Sequence, residues 1–113
     1  MITIDALRAF GANVDEGLER CMGMEDFYIR LVGTMLDDVN FARLDEAIEA
    51  EDAVAAFEAA HALKGALGNL SLTPISKPLI EITERFRGKT EMPDLSDILP
   101  QYKQALEELR AMR

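Results

Sequence analysis

Residues 52–70 read DAVAAFEAAHALKGALGNL, and this stretch decides the fold. Alanine and leucine, which have high helix propensity, dominate it, and its apolar side chains recur at helical spacing. We therefore predict one long helix from about Asp52 to Leu70. Its predicted core face consists of Ala56, Ala59, Leu63, Ala66, Leu67 and Leu70. Because several of these residues are small, neighbouring helices can pack closely against it.

The face opposite that core carries His61, the only histidine in the chain. At about 100° per residue, Lys64, Gly65 and Gly68 all lie within roughly 60° of His61 on the helical wheel. Glycine in a helix interior costs roughly 1 kcal/mol relative to alanine. Two glycines beside an exposed imidazole therefore need a reason other than helix stability. We expect another molecule to come close to this histidine.

The rest of the chain also shows helical periodicity, and no segment has the strict alternation of a strand. Two short helices are predicted at the N-terminus. Thr3 caps the first, which ends at Gly11. Asn13 caps the second, from Val14 to Met22, and Gly23 closes it.

Two apolar stripes predict core helices before the histidine helix. The first begins at Met24 and consists of Phe27, Tyr28, Leu31, Val32, Met35, Leu36 and Val39. The second covers about three turns and consists of Phe41, Leu44 and Ile48. The acidic stretch 49–52 separates it from the histidine helix.

Two further helices are predicted after the histidine helix. The first starts near Thr73, as the cap, and Pro74, and buries Ile75, Leu79, Ile82 and Phe86. Pro78 leaves two alternatives at its start, a bend at the proline or a true start at Ser76. Residues 88–94 are the best loop candidate. The last helix runs almost to Arg113, with Ser96 or Asp94 as its cap and a stripe of Ile98, Tyr102, Leu106 and Leu109.

These elements predict an all-α fold, an up-down-up-down four-helix bundle with short additional N-terminal helices. A chain of 113 residues is long enough for one core but not two, so we predict a single domain over residues 1–113. We expect a monomer.

Composition excludes several classes of function. A net charge of −9 repels nucleic acid and anionic membrane surfaces. No apolar run approaches the roughly 20 residues of a membrane span, and Met1–Asp5 lacks a signal-peptide pattern, so we expect a cytoplasmic protein. The single Cys21 is most simply a small apolar filler, and with one histidine no zinc-type ligand cluster is expected.

The residues around His61 suit one kind of chemistry. An imidazole is partly unprotonated at neutral pH, and its free nitrogen is a nucleophile that can accept a phosphoryl group. Lys64, one turn later, is placed to offset the added negative charge. Gly65 and Gly68 leave room for the phosphate and for an approaching partner.

The run His61-Ala62-Leu63-Lys64-Gly65-Ala66 resembles the signature of histidine-containing phosphotransfer (HPt) domains, a helix-borne His-x-x-Lys-Gly followed by small residues. The family's fold is likewise a four-helix bundle with N-terminal additions, and its length and helix order agree with essentially all 113 residues. The family pattern commonly has a glycine ten residues after the histidine, where this chain has Ser71.

This resemblance implies a phosphorelay intermediate in two-component signal transduction. His61 would accept a phosphoryl group from an aspartyl phosphate on a response-regulator receiver domain and pass it to another receiver, with Lys64 stabilising the phosphate charge. The protein would be a phosphocarrier and not an autonomous enzyme. It would need no cofactor or metal, since Mg²⁺ belongs to the receiver. A hybrid sensor histidine kinase is a further candidate partner.

Phe57 lies one turn before the histidine on the same face, and Leu72 extends that strip beyond Gly68. Phe57 has two interpretations, docking surface for the receiver or burial beneath the N-terminal helices.

The sequence leaves three alternative functions to compare with the phosphorelay role. Glu58 and His61 have the Glu-x-x-His spacing of di-iron bundles, but that site needs two such motifs. A helical interaction module that is never phosphorylated would not need to keep both His61 and Lys64. An autokinase would need a nucleotide loop after a strand, and no strand is predicted.

Overall fold

The structure is a computed structural model that describes residues 1–113. The chain forms seven α-helices and no strand. The helices are α1 (Ile4–Phe10), α2 (Val14–Arg20), α3 (Glu25–Met35), α4 (Asn40–Glu49), α5 (Ala53–Asn69), α6 (Thr73–Phe86) and α7 (Leu99–Ala111). The predicted all-α class is therefore confirmed.

The two N-terminal helices follow their predicted caps. The Thr3 side chain accepts a hydrogen bond from the backbone N–H of Ala6, and α1 ends at Gly11, whose φ is 105°. The Asn13 side chain caps α2. This helix ends at Arg20 and not at Met22, because Met22 (φ 58°) already belongs to the turn toward α3.

Helices α4 to α7 pack as sequential neighbours, α4 on α5, α5 on α6 and α6 on α7. Only three residues separate α4 from α5, and three separate α5 from α6. Such short links are typical of antiparallel neighbours, so they fit the up-down-up-down order, which stays a prediction. One cluster of 28 buried apolar residues runs through a rod of 43 × 23 × 20 Å.

Two positions in the predicted α3 stripe do not belong to the core. Phe27, in the first turn of α3, is 40% exposed, and Val39 is 60% exposed. The helix ends at Met35, earlier than the stripe suggested, and Val39 is the residue that precedes α4. Its side chain therefore does not follow the α3 face.

Helix α6 resolves the alternatives at Pro78. It begins at Thr73 and continues with Pro78 inside it, so a start at Ser76 is wrong. Leu72, and not Thr73, is the N-cap residue, and no side chain caps this end. Pro74 occupies the first turn, where a missing N–H costs nothing.

Helix α7 also starts without a side-chain cap, at Leu99 with Ile98 as N-cap residue. The prediction of Ser96 or Asp94 as the cap was wrong, because the Asp94 carboxylate accepts the backbone N–H of Ser96 within the preceding loop. No helix of the protein combines the length and the apolar character that crossing a membrane requires.

Candidate functional site

Helix α5 holds His61 near its middle and turns it outward. The Asp52 carboxylate fixes the start of the helix by accepting the backbone N–H of Ala55. The opposite face packs into the bundle through Ala53, Ala56, Ala59, Ala60, Leu63 and Leu67, all buried. His61 is exposed, as the helical wheel predicts. The imidazole is therefore open to a second molecule.

The two glycines of this face have no packing role inside the chain. A Cβ added to Gly65 or to Gly68 would meet no atom within 4 Å. At Gly17 of α2, by contrast, an added Cβ would lie 2.6 Å from the ring of Tyr28, so internal packing requires that glycine. Packing within this chain therefore gives no reason for glycine at either position, although glycine weakens a helix.

Lys64 lies one turn after His61 and is half-buried. None of the six salt bridges of the chain includes it. Its ammonium group therefore remains available for an anion that arrives at the histidine face, which suits the predicted role in offsetting phosphate charge.

Phe57 lies against His61 as an aromatic platform. The two rings stack with their centres 5.5 Å apart and their planes inclined by 24°. Phe57 is half-buried, and one part of its ring packs against the core cluster. The guanidinium carbon of Arg87 lies 5.1 Å from the ring centre. Phe57 is therefore only partly buried, and Arg87 at the end of α6 covers part of its ring. A role for Phe57 in receiver docking stays a prediction.

Glu84 and Arg87 form an ion pair next to this platform. An Arg87 nitrogen lies 3.0 Å from a Glu84 oxygen, and a second donates to the other oxygen at 3.1 Å. The hydrogen bond from Arg87 is the main cause that lowers the pKa of Glu84, and the charges of Lys64 and His61 add to it. The sequence pattern did not indicate either residue. Their position depends on how α6 packs on α5, and no periodicity within α6 reports that.

Side chains of α2 and α3 hold the C-terminal end of α5. Arg20 of α2 donates to the carbonyl oxygens of Gly68 and Asn69, each at 3.0 Å. Tyr28 of α3 donates to the carbonyl of Leu70 at 2.7 Å, and burial raises the pKa of this phenol to about 12, so it stays a donor. Carbonyls at a helix C-terminus lack intrahelical donors, and these side chains supply them.

Ser71 occupies the position where the family pattern commonly has glycine. Its φ is 57°, a left-handed conformation that favours glycine. The Ser71 hydroxyl donates to Glu16 at 2.9 Å and accepts from Arg20 at 3.1 Å. These bonds hold a serine in a strained conformation. The same turn buries Leu72, so the expectation that Leu72 extends the exposed strip was wrong.

No group of three or more His, Cys, Asp or Glu side chains comes together in a way that could hold a metal ion. The Glu58 and His61 spacing thus finds no further ligands, and the di-iron interpretation gains no support from the structure.

Comparison with protein families matches the Hpt domain over residues 30–112. The match covers well over half of the chain, so this protein belongs to the Hpt domain family. No curated protein and no solved structure matched the chain significantly. Hpt domains carry out histidine phosphotransfer in phosphorelay signalling, as phosphocarriers that interact with receiver domains of two-component systems. Residues 1–29, with α1, α2 and the start of α3, lie outside the matched region.

Proposed function

We propose that His61 is the phosphoacceptor of this Hpt domain. It takes a phosphoryl group from the aspartyl phosphate of one receiver domain and passes it to the aspartate of another. Lys64 stabilises the phosphate charge, and Gly65 and Gly68 give the receiver clearance.

The observation that carries this proposal is the open space over Gly65 and Gly68 beside an exposed imidazole. An added side chain at either glycine would touch nothing in this chain, although each glycine weakens the helix. A partner surface that must come within bonding distance of His61 accounts for both residues. A helical module that binds its partners elsewhere accounts for neither.

The chemistry requires little from this side of the complex. The lone pair of one imidazole nitrogen forms the N–P bond while the P–O bond to the receiver aspartate breaks, and that bonding pair returns to the carboxylate. The transfer depends on in-line positioning and on charge neutralisation. His61 supplies the nucleophile, and Lys64 supplies a cation that belongs to no salt bridge. We assign Mg²⁺ to the receiver.

The large negative net charge of the chain favours a particular kind of partner surface. At a net charge of −9, a receiver surface with exposed basic residues is favoured over an acidic one in the encounter. A receiver attached to a hybrid sensor histidine kinase and a free response regulator both satisfy the same chemistry. We expect the domain to act as a monomer.

The test is incubation with a panel of receiver domains phosphorylated on aspartate. We expect acid-labile label to pass to the wild-type protein and not to the His61→Ala variant. The Cys21→Ala variant is a suitable control, because it changes a buried nucleophile without touching the histidine face. Label that persists in His61→Ala would refute the assignment. Signalling that survives in His61→Gln would favour the module that is never phosphorylated.

A further inference from the structure

The surroundings of His61 contain a second cation that the family motif does not include. The guanidinium of Arg87 lies over the Phe57 ring, and the His61 ring stacks on the same Phe57 ring. The guanidinium carbon of Arg87 lies 5.1 Å from the centre of the Phe57 ring, and the centre of the His61 ring lies 5.5 Å from the same point. The two groups are therefore near neighbours on one surface. Arginine side chains are long and flexible, so a group added to the imidazole comes within reach of Arg87.

In the unphosphorylated protein Arg87 is occupied by Glu84. Three hydrogen bonds of 3.0 to 3.3 Å join the guanidinium to the two carboxylate oxygens. Both side chains are about half exposed, at 50% and 51%. Exposed ion pairs are weak because water screens them, so this pair can exchange partners.

A phosphoryl group on His61 presents the same chemistry to Arg87 as the Glu84 carboxylate does. Both offer paired anionic oxygens that fit the planar fork of a guanidinium, and phosphate carries more charge. The Phe57 ring keeps the guanidinium at the site during such an exchange, since the cation and the ring attract each other whichever anion is bound.

We propose that Arg87 binds the phosphoryl group of the phosphohistidine, and that the Glu84 carboxylate occupies the Arg87 guanidinium until His61 is phosphorylated. On phosphorylation Arg87 leaves the carboxylate and binds the phosphoryl oxygens, while Phe57 remains its platform. Glu84 then opposes the phosphorylated state twice, by competing for Arg87 and by repelling the phosphate. The Glu84 and Arg87 pair thus sets how readily the carrier gives its phosphoryl group away. This inference rests on the proposed role of His61.

The test uses the full chain and potassium phosphoramidate, a small donor that removes partner docking from the measurement. The imidazole nitrogen forms the N–P bond as the donor N–P bond breaks and ammonia leaves. The lifetime of the phosphohistidine is then followed by phosphorus NMR. The position of the transfer equilibrium with one receiver domain is measured in parallel.

We expect opposite effects from the two partners of the ion pair. Arg87→Ala shortens the phosphohistidine lifetime and moves the equilibrium toward the receiver, by roughly three- to tenfold, whereas Glu84→Gln moves it toward this protein by a similar factor. Arg87→Lys falls between wild type and Arg87→Ala, because it keeps the charge and loses the fork. A merely structural salt bridge would shift both single variants in the same direction.

A spectroscopic readout reports the exchange itself. The Nε–H resonance of Arg87 is expected to move when wild type is phosphorylated, and to start from a different position in Glu84→Gln. Arg8 and Asp15 form a surface pair on the N-terminal helices and provide matched controls, Arg8→Ala and Asp15→Asn, that should leave lifetime and equilibrium unchanged.

Two failures are distinguishable in these measurements. If wild type takes no label from phosphoramidate, or His61→Ala takes as much, the role of His61 is wrong. If wild type is labelled on His61 but Arg87→Ala and Glu84→Gln behave like the Arg8 and Asp15 controls, or the Arg87 resonance stays fixed, only the exchange is overturned.

Discussion

Replacing Gly65 with alanine will make the isolated protein more stable and a poorer phosphotransfer partner. The stability gain follows from helix propensity, because Gly65 lies inside α5 and an added Cβ meets no atom within 4 Å. With no clash to offset it, the full difference between glycine and alanine is available, about 0.5–1 kcal/mol in the free energy of unfolding. For a domain of this size that corresponds to a rise of about 2–6 °C in Tm.

The loss of transfer follows from the same open space. If a receiver fills it, a methyl group at Gly65 obstructs the approach to His61, and a larger side chain obstructs it more. We expect kcat/KM for transfer from a phosphorylated receiver to fall in the order wild type, Gly65→Ala, Gly65→Leu. Labelling by phosphoramidate should change far less, because a small donor needs little clearance.

Gly33 provides the matched control. It lies in α3, and an added Cβ would make only an ordinary contact at 3.9 Å with Ile2. Gly33→Ala should therefore raise the Tm without slowing transfer. Thermal unfolding and rapid-quench transfer assays on the same preparations give both quantities. Our interpretation of the glycines is refuted if Gly65→Leu transfers phosphate as fast as wild type, or if Gly65→Ala lowers the Tm.

Three further predictions concern the stability of the fold. Arg20→Ala removes two hydrogen bonds to the end of α5, one to the Ser71 hydroxyl and the salt bridge to Glu16, and should lower the free energy of unfolding by about 1–2 kcal/mol in urea titrations. Arg30→Ala, at an exposed arginine outside every salt bridge, should lower it far less. Ser71→Ala should be less stable than Ser71→Gly by about 1 kcal/mol, because both lose the hydroxyl and only glycine relieves the φ of 57°; equal stabilities would contradict this. The Arg85 guanidinium lowers the pKa of Asp97 from 3.8 to about 2, so this pair stabilises the fold above about pH 4 and loses its effect as the pH falls toward 2. The Tm of Asp97→Asn should accordingly lie below that of wild type at pH 7 and approach it at pH 2, and a gap that stays constant would show that the pair is irrelevant to stability.

The sequence was sufficient for features that depend on a single helix. Period and cap residues predicted α1 and α5 closely, since Thr3 and Asp52 supply caps to their own helices. The outward position of His61 also followed from the helical wheel, because the buried face of α5 is a property of its own sequence.

Features that depend on contacts between helices were not accessible in this way. Leu72 continues the exposed strip only if α5 continues, and the left-handed turn at Ser71 ends that continuity. Glu84 and Arg87 reach the histidine face because α6 packs on α5, and no spacing within α6 signals which neighbour it has. Val39 lies beyond the end of α3 at Met35, so the helical spacing that placed it in the core does not apply to it. Phe27 lies inside α3, in its first turn, but is exposed, and the spacing within one helix does not show where its neighbours end.

The bonds from Arg20 and Tyr28 to the last turn of α5 bear on how this domain can be moved between proteins. The region that matches the family begins at residue 30, so both donors lie upstream of it. A chimera grafted at that boundary would carry His61 and its neighbours but would lose the side-chain donors to the carbonyls of Gly68, Asn69 and Leu70. Modular exchange of this domain should therefore include α2 and the start of α3, which carry these two donors.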